Sequence, residues 1–118
     1  MNIQESQHGP VVVMTLDGRL DHDGAPVLEA CVKKHIAAGC RSVLVDFAGI
    51  SFLASMGIRA LIIPTQSLSK LGGRMGVTGL GDSTLSVFET AGLTKIFPVY
   101  ESVDTAIADP TWPAFAEA

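Results

Sequence analysis

The chain has 118 residues, of which 47% are hydrophobic and 17% charged, enough apolar material for one core and too much for a disordered chain. Its net charge of -4, with eight scattered Lys and Arg residues, leaves no basic face for a duplex, so direct nucleic-acid binding is not expected. Aromatic residues make up 6%, so the core must rest on Val, Ile, Leu, Ala and Met.

Residues 2–7 read as a short strand that turns through His8-Gly9-Pro10 into the β-branched run Val11–Leu16, closed by Asp17-Gly18. A helix is predicted from Pro26 to Ala38, with Pro26 in its first turn and Gly39 ending it in a left-handed conformation. Leu28, Cys31, Val32 and His35 fall on its inward stripe. Ser42–Phe47 reads as a central strand covered on both faces. A loop, Ala48–Ala54, then leads to a helix over Ser55–Leu71. Ile58, Leu61, Ile62, Thr65 and Leu68 are its expected inward face, and Arg59, Ile63, Gln66 and Lys70 its other face. Pro64 removes a backbone donor and is expected toward solvent, where the freed carbonyl can be hydrated.

Gly72-Gly73 closes that helix, and Arg74–Thr78 reads as a further strand. Asp82 or Ser83 is expected to cap a short helix that runs to Ala91 and ends at Gly92. Phe97–Tyr100 is a last strand, and Ser102 caps a last helix that Pro110 stops. The tail holds Trp112 and Phe115 and is expected to pack back on the body. Alternating strands and helices predict an α/β fold, a mixed, mainly parallel sheet covered by about four helices, with an antiparallel edge from the first hairpin. The domain is expected over residues 1–110, with a tail over 111–118.

The N-terminus has no basic segment followed by an apolar run, and the most apolar stretch, Ile58–Ile63, is far short of the roughly 20 residues of a spanning helix. A cytoplasmic protein with no membrane insertion is expected. Cys31 and Cys40 read as reduced, partly buried thiols without a CxxC pair. His8, His22 and His35 show no metal spacing with each other or with cysteine, His35 reads as a core or boundary histidine, and neither a metal nor a cofactor is expected. Asp21 and Asp23 lack the rest of a calcium loop and read as a turn and helix start, with Asp21 near Ser55 if the strand ends meet.

Two catalytic patterns nearly fit. Leu53-Ala54-Ser55-Met56-Gly57 is half of a nucleophile elbow, but Leu53 stands at the first glycine and every histidine precedes Ser55. Gly76–Ser83 has phosphate-loop glycines, but Asp82 replaces the lysine and would repel phosphate. No enzyme is expected.

Gly18-Arg19-Leu20-Asp21, then Val45–Ile58, then Ala91–Phe97 followed by Ser102–Ile107, occur in an order and spacing that resemble the STAS domain family, from about residue 3 to residue 108. The resemblance implies an anti-sigma factor antagonist. It would bind an anti-sigma factor that is also a Ser/Thr kinase, and so free a sigma factor. In that family the segment after the central strand usually reads Asp-Ser-Ser/Thr-Gly, and its first serine is phosphorylated. By position that serine is Ser55 and the glycine Gly57, while Ala54 stands for the Asp and Met56 for the second hydroxyl residue. A phosphatase would reverse the modification. The alternative is a STAS accessory subunit of a lipid-transport or sensory complex, docked permanently, with Ser55 as a plain helix cap.

Ser55 sits where a strand and loop hand over to a helix, the place of an N-cap whose hydroxyl accepts a backbone N–H. Gly57, without a side chain, is expected to leave the helix end open to a partner. Met56, Arg59, Ile63 and Lys70 would run along the outer face as an apolar and basic strip. The expected partner-binding residues are therefore Asp21, Ala54, Ser55, Met56, Gly57, Arg59 and Ile63.

Overall fold

The computed structural model describes residues 1–116. Its strands are β1 (Asn2–His8), β2 (Val11–Leu20), β3 (Ser42–Leu53), β4 (Arg74–Thr78) and β5 (Val99–Tyr100), and its helices α1 (Gly24–Ala37), α2 (Ser55–Lys70), α3 (Asp82–Thr90) and α4 (Val103–Ile107). The five strands form one sheet in chain order. β1 and β2 pair antiparallel through the expected tight turn, and the pairs β2–β3, β3–β4 and β4–β5 are parallel. This is the expected mixed, mainly parallel sheet with four helices.

Strand periodicity divides the core in two, because successive side chains point to opposite faces. Val12, Met14, Leu16, Val43, Val45, Phe47, Met75 and Val77 join Leu28 and Val32 of α1, Leu61 and Leu68 of α2 and Phe88 of α3 in the larger cluster. Phe88 meets Phe47 edge-on at 5.8 Å between ring centres. Val11, Val13 and Leu44 point the other way and are covered by Ala106 of α4 and by Trp112. The tail thus packs on the body as expected. The Trp112 indole N–H donates to the Ala106 carbonyl at 2.8 Å, and the buried Ser42 hydroxyl donates to the Pro113 carbonyl at 2.6 Å. Phe115 packs against the larger cluster; the end of the expected tail, residues 117 and 118, lies outside the described residues.

Several local expectations are corrected. β3 does not stop at Phe47 but runs on through the expected loop to Leu53, because β2 is also longer than its apolar run and pairs with it throughout, ending at Leu20 opposite Leu53. β4 accompanies β3 only as far as Asp46. The last third of β2 and β3 is therefore a two-stranded ribbon whose ladder, and not its side-chain pattern, keeps it extended. The signature glycine Gly18 lies inside β2 at φ 114, between two shifts of register. That backbone conformation is strained for any residue with a Cβ.

α3 begins at Asp82 itself, with Gly81 in the cap position and no side-chain cap bond. Pro64 is buried, not turned to solvent, and α2 continues unbroken through it. The buried stripe of α2 is Gly57, Ala60, Leu61, Pro64 and Leu68. Ile58, Ile62 and Thr65 are half-buried flanks, so the helix is rolled relative to the expected inward face. A flat apolar ring fits a stripe of small residues, and its burial outweighs hydration of one freed carbonyl.

Candidate functional site

The end of the β2–β3 ribbon sets the start of α2. Leu20 pairs with Leu53, and the next amide, Ala54 N–H, donates to the Leu20 carbonyl at 3.0 Å. Ala54 is extended, at φ -100 and ψ 166, and is the N-cap residue. Its carbonyl accepts from Gly57 N–H at 2.9 Å and from Ile58 N–H at 3.2 Å. Ser55 is therefore the first helical residue and not the cap, one position later than expected. No side-chain hydrogen bond caps this helix, its first turn carries no acidic residue, and Ser55 is exposed.

Gly57 has a different reason from the one expected. It is buried, and a Cβ there would stand 2.5 Å from the Leu20 carbonyl oxygen and 2.6 Å from Leu20 Cγ. The missing side chain faces inward and lets α2 seat against the end of β2; it does not open the helix to a partner. Gly57 fixes where Ser55 and Met56 emerge.

Asp21 follows Leu20 and so lies at the same end of the sheet. Its carboxylate accepts from Asp23 N–H and Gly24 N–H, both at 3.1 Å, and from Arg19 Nε at 3.3 Å. The Gly24 amide foremost, then the Asp23 amide and Arg19, hold its carboxyl below the ordinary range. Asp21 is thus the anchor of the turn into α1, as its alternative reading as turn and helix start foresaw.

Of the expected outer strip, Met56, Arg59 and Ile63 come together and Lys70 lies at the far end of α2. They share a shallow groove with Ala25, Pro26 and Glu29 of α1. Met56 is 52% and Ile63 43% exposed, large values for such apolar side chains. The α1 wall was missed from the sequence, since helix pairing is a long-range property. Glu29 adds an acidic group to a strip expected to be basic.

A second cluster lies on α1 and β1. Cys31 Sγ and Lys34 Nζ are 3.4 Å and 3.3 Å from Glu5 Oε1, and His35 Nε2 bonds to the same oxygen. His35, chiefly, then Cys31 and Lys34 hold the Glu5 carboxyl low, whereas burial first and the Glu5 bond second push the Cys31 thiol up to about 11. Glu5, Cys31 and His35 offer donor atoms all within 4.8 Å of one another, a proximity between β1 and α1 that the sequence spacing of the histidines and cysteines did not suggest. His8 lies within hydrogen-bond distance of Ser6, and His22 is 3.6 Å from its exposed neighbour Asp23. Among the described residues, no helix is long and apolar enough to cross a membrane.

A five-stranded mixed sheet with an exposed serine where the central strand hands over to a helix defines a class, and residues 2–106 match the family model of the STAS domain. The chain belongs to the STAS domain family. Several of the proteins it resembles are named anti-sigma factor antagonists. One from Mycobacterium paratuberculosis is 30% identical in sequence and superposes with a TM-score of 0.80 over 92% of this chain and 94% of that one. BtrV of Bordetella bronchiseptica, a candidate anti-sigma factor antagonist, is 28% identical over 98 residues, 83% of this chain and 84% of its own length. SpoIIAA of Bacillus in its phosphorylated form, 23% identical, shares the fold with a TM-score of 0.74 over 91% of this chain and 97% of that one.

Proposed function

We propose that this STAS domain binds an anti-sigma factor through the start of α2 and the groove between α2 and α1, and that phosphorylation of Ser55 switches the binding off. The observation that carries this is the exposed, uncapped Ser55 at the first position of a 16-residue helix whose next turns present the exposed apolar Met56 and Ile63. The relatives' names support the partner, and SpoIIAA, solved in both unphosphorylated and phosphorylated forms, supports a fold that tolerates phosphate. The kinase would be the anti-sigma factor itself or a Ser/Thr kinase beside it, and a phosphatase would restore the free hydroxyl.

The physics of the switch is local. A phosphate brings a charge of about -1.5 to -2 at pH 7. At a helix N-terminus that charge meets free amides and the positive end of the dipole, so the fold is not harmed. The cost falls on the complex, where the dianion must lose water against a surface shaped for a hydroxyl and a methionine. Asp21, Ala54, Ser55, Met56, Arg59 and Ile63 are the proposed contact set, with Gly57 positioning them from inside.

Ala54 supports a second role. Where the family resemblance implies an aspartate before the serine, this chain has a methyl group, and with Met56 that favours permanent docking as an accessory subunit of a lipid-transport or sensory complex. Affinity purification from the native host separates the two, with wild type, Ser55→Ala and Ser55→Glu as baits and phosphosite mapping of each. Capture of a kinase-like anti-sigma factor by wild type and Ser55→Ala but not Ser55→Glu, with phosphate on Ser55, supports the switch. Equal capture of transport or scaffold proteins by all three, without phosphate, supports the accessory role.

A further inference from the structure

We propose that Glu5, Cys31 and His35 form a binding site for Zn²⁺ between the edge strand β1 and helix α1. Cys31 and His35 are four residues apart on α1, so they share one side of the helix one turn apart. Glu5 reaches both from the edge strand β1. A carboxylate oxygen, a sulfur and a ring nitrogen thus lie within 4.8 Å of one another. Tetrahedral zinc with bonds of about 2.0–2.3 Å needs ligand atoms roughly 3.3–3.8 Å apart, a change that side-chain rotation supplies. Sulfur, imidazole and carboxylate together match zinc better than magnesium or calcium, which take oxygen ligands. Three protein ligands leave a fourth position for water.

Binding is a balanced exchange. The Cys31 S–H bond breaks, the sulfur lone pair bonds the ion, and the proton leaves to solvent. His35 coordinates as the neutral imidazole through Nε2, and Glu5 gives up its bonds to Cys31 and His35 to coordinate as carboxylate. Lys34, 3.3 Å from Glu5, is the competitor the ion must displace. The consequence is a tie between β1 and α1, and an ion that binds the folded chain alone raises its melting temperature by mass action.

The other candidates for the same chemistry serve as controls. Cys40 is fully buried and its thiol bonds the Ser42 carbonyl. Asp21, His22 and Asp23 also cluster, but without a thiol and with His22 and Asp23 exposed.

The test is titration of the reduced full chain with Co²⁺ alone, read by its thiolate charge-transfer absorbance, followed by displacement with Zn²⁺. The expected result is one Co²⁺ per chain with a thiolate band that Zn²⁺ bleaches. Cys31→Ser abolishes the band, and Glu5→Gln and His35→Ala each weaken binding at least tenfold. Cys40→Ala and His22→Ala leave it unchanged, and Lys34→Ala tightens it severalfold. Circular dichroism confirms folding of each variant. Absence of a thiolate band from the wild type, a band that survives Cys31→Ser, or binding lost with His22→Ala would overturn the site.

Discussion

Two serines stand at helix starts in this molecule and do opposite things. Ser102 is the N-cap of α4, and its hydroxyl accepts from Thr105 N–H at 3.0 Å. Ser55 is one position inside α2, where the cap belongs to Ala54 and no side chain serves the amides. The first hydroxyl is consumed by the fold, and the second is left to solvent or a partner. A serine that stabilises nothing at an exposed helix end, on a helix otherwise held by a packed stripe, is free to carry a modification without unfolding the domain. Residue type at a helix start therefore does not reveal its use; the offset by one residue does.

The largest effect on stability is expected beneath the uncapped end. Gly57→Ala places a Cβ against the Leu20 backbone, which cannot rotate away, and overpacking of this kind costs about 1–3 kcal/mol. Thermal unfolding should show a fall of several degrees, and an unchanged melting temperature would mean that α2 is not seated as described. Next come Arg59→Ala and Ile63→Ala, each expected to weaken partner binding about tenfold, roughly 1.4 kcal/mol, with melting temperature nearly constant. A loss of stability from Ile63→Ala would instead return that side chain to the core.

The two serines themselves give a smaller and sharper contrast. Ser102→Ala should cost about 1 kcal/mol, a drop of roughly 3–5 °C, while Ser55→Ala should leave the melting temperature unchanged. Equal losses would erase the distinction.

The smallest effect is an acid limb near the capped end. The Thr111 hydroxyl and amide, then the Tyr100 hydroxyl, hold the Asp109 carboxyl at about 2. A folded pKa below the ordinary value of about 3.9 stabilises the fold above that value, and the contribution is lost as pH falls from about 4 toward 2. Asp109→Asn should flatten that part of a stability profile against pH while leaving the Ser55 end untouched.

Much of this was legible in the sequence, and the failures share a cause. Val11–Leu16, Ser42–Phe47 and the amphipathic helix after Ser55 are local patterns, and they formed where expected. The extension of β3 to Leu53 rests on pairing with β2, some 33 residues away in sequence for Gly18 and Ser51, which no window on the chain reports. Pro64 followed the rule for an isolated helix and was overruled by its packed stripe. The cap at Ala54 was missed because alanine carries no capping signal; its backbone takes the role because Leu20 fixes the Ala54 amide. Cys31 and His35 were read as an inward stripe, and only the meeting of β1 with α1 brings Glu5 to them. At the candidate site, Ser55, Met56, Arg59 and Ile63 were found by position along the helix, whereas Pro26 and Glu29 came from a neighbouring helix that the sequence could not dock.

The central claim, that the uncapped serine governs binding and not folding, is tested most directly by titrating the captured anti-sigma factor into two forms of the full chain, unmodified and carrying phosphoserine at position 55, with melting curves measured in parallel. The predicted result is affinity at least a hundredfold weaker for the phosphorylated form, about 3 kcal/mol, with melting temperatures within a degree or two of each other. Equal affinities, or a phosphorylated form that melts far below the other, would contradict it.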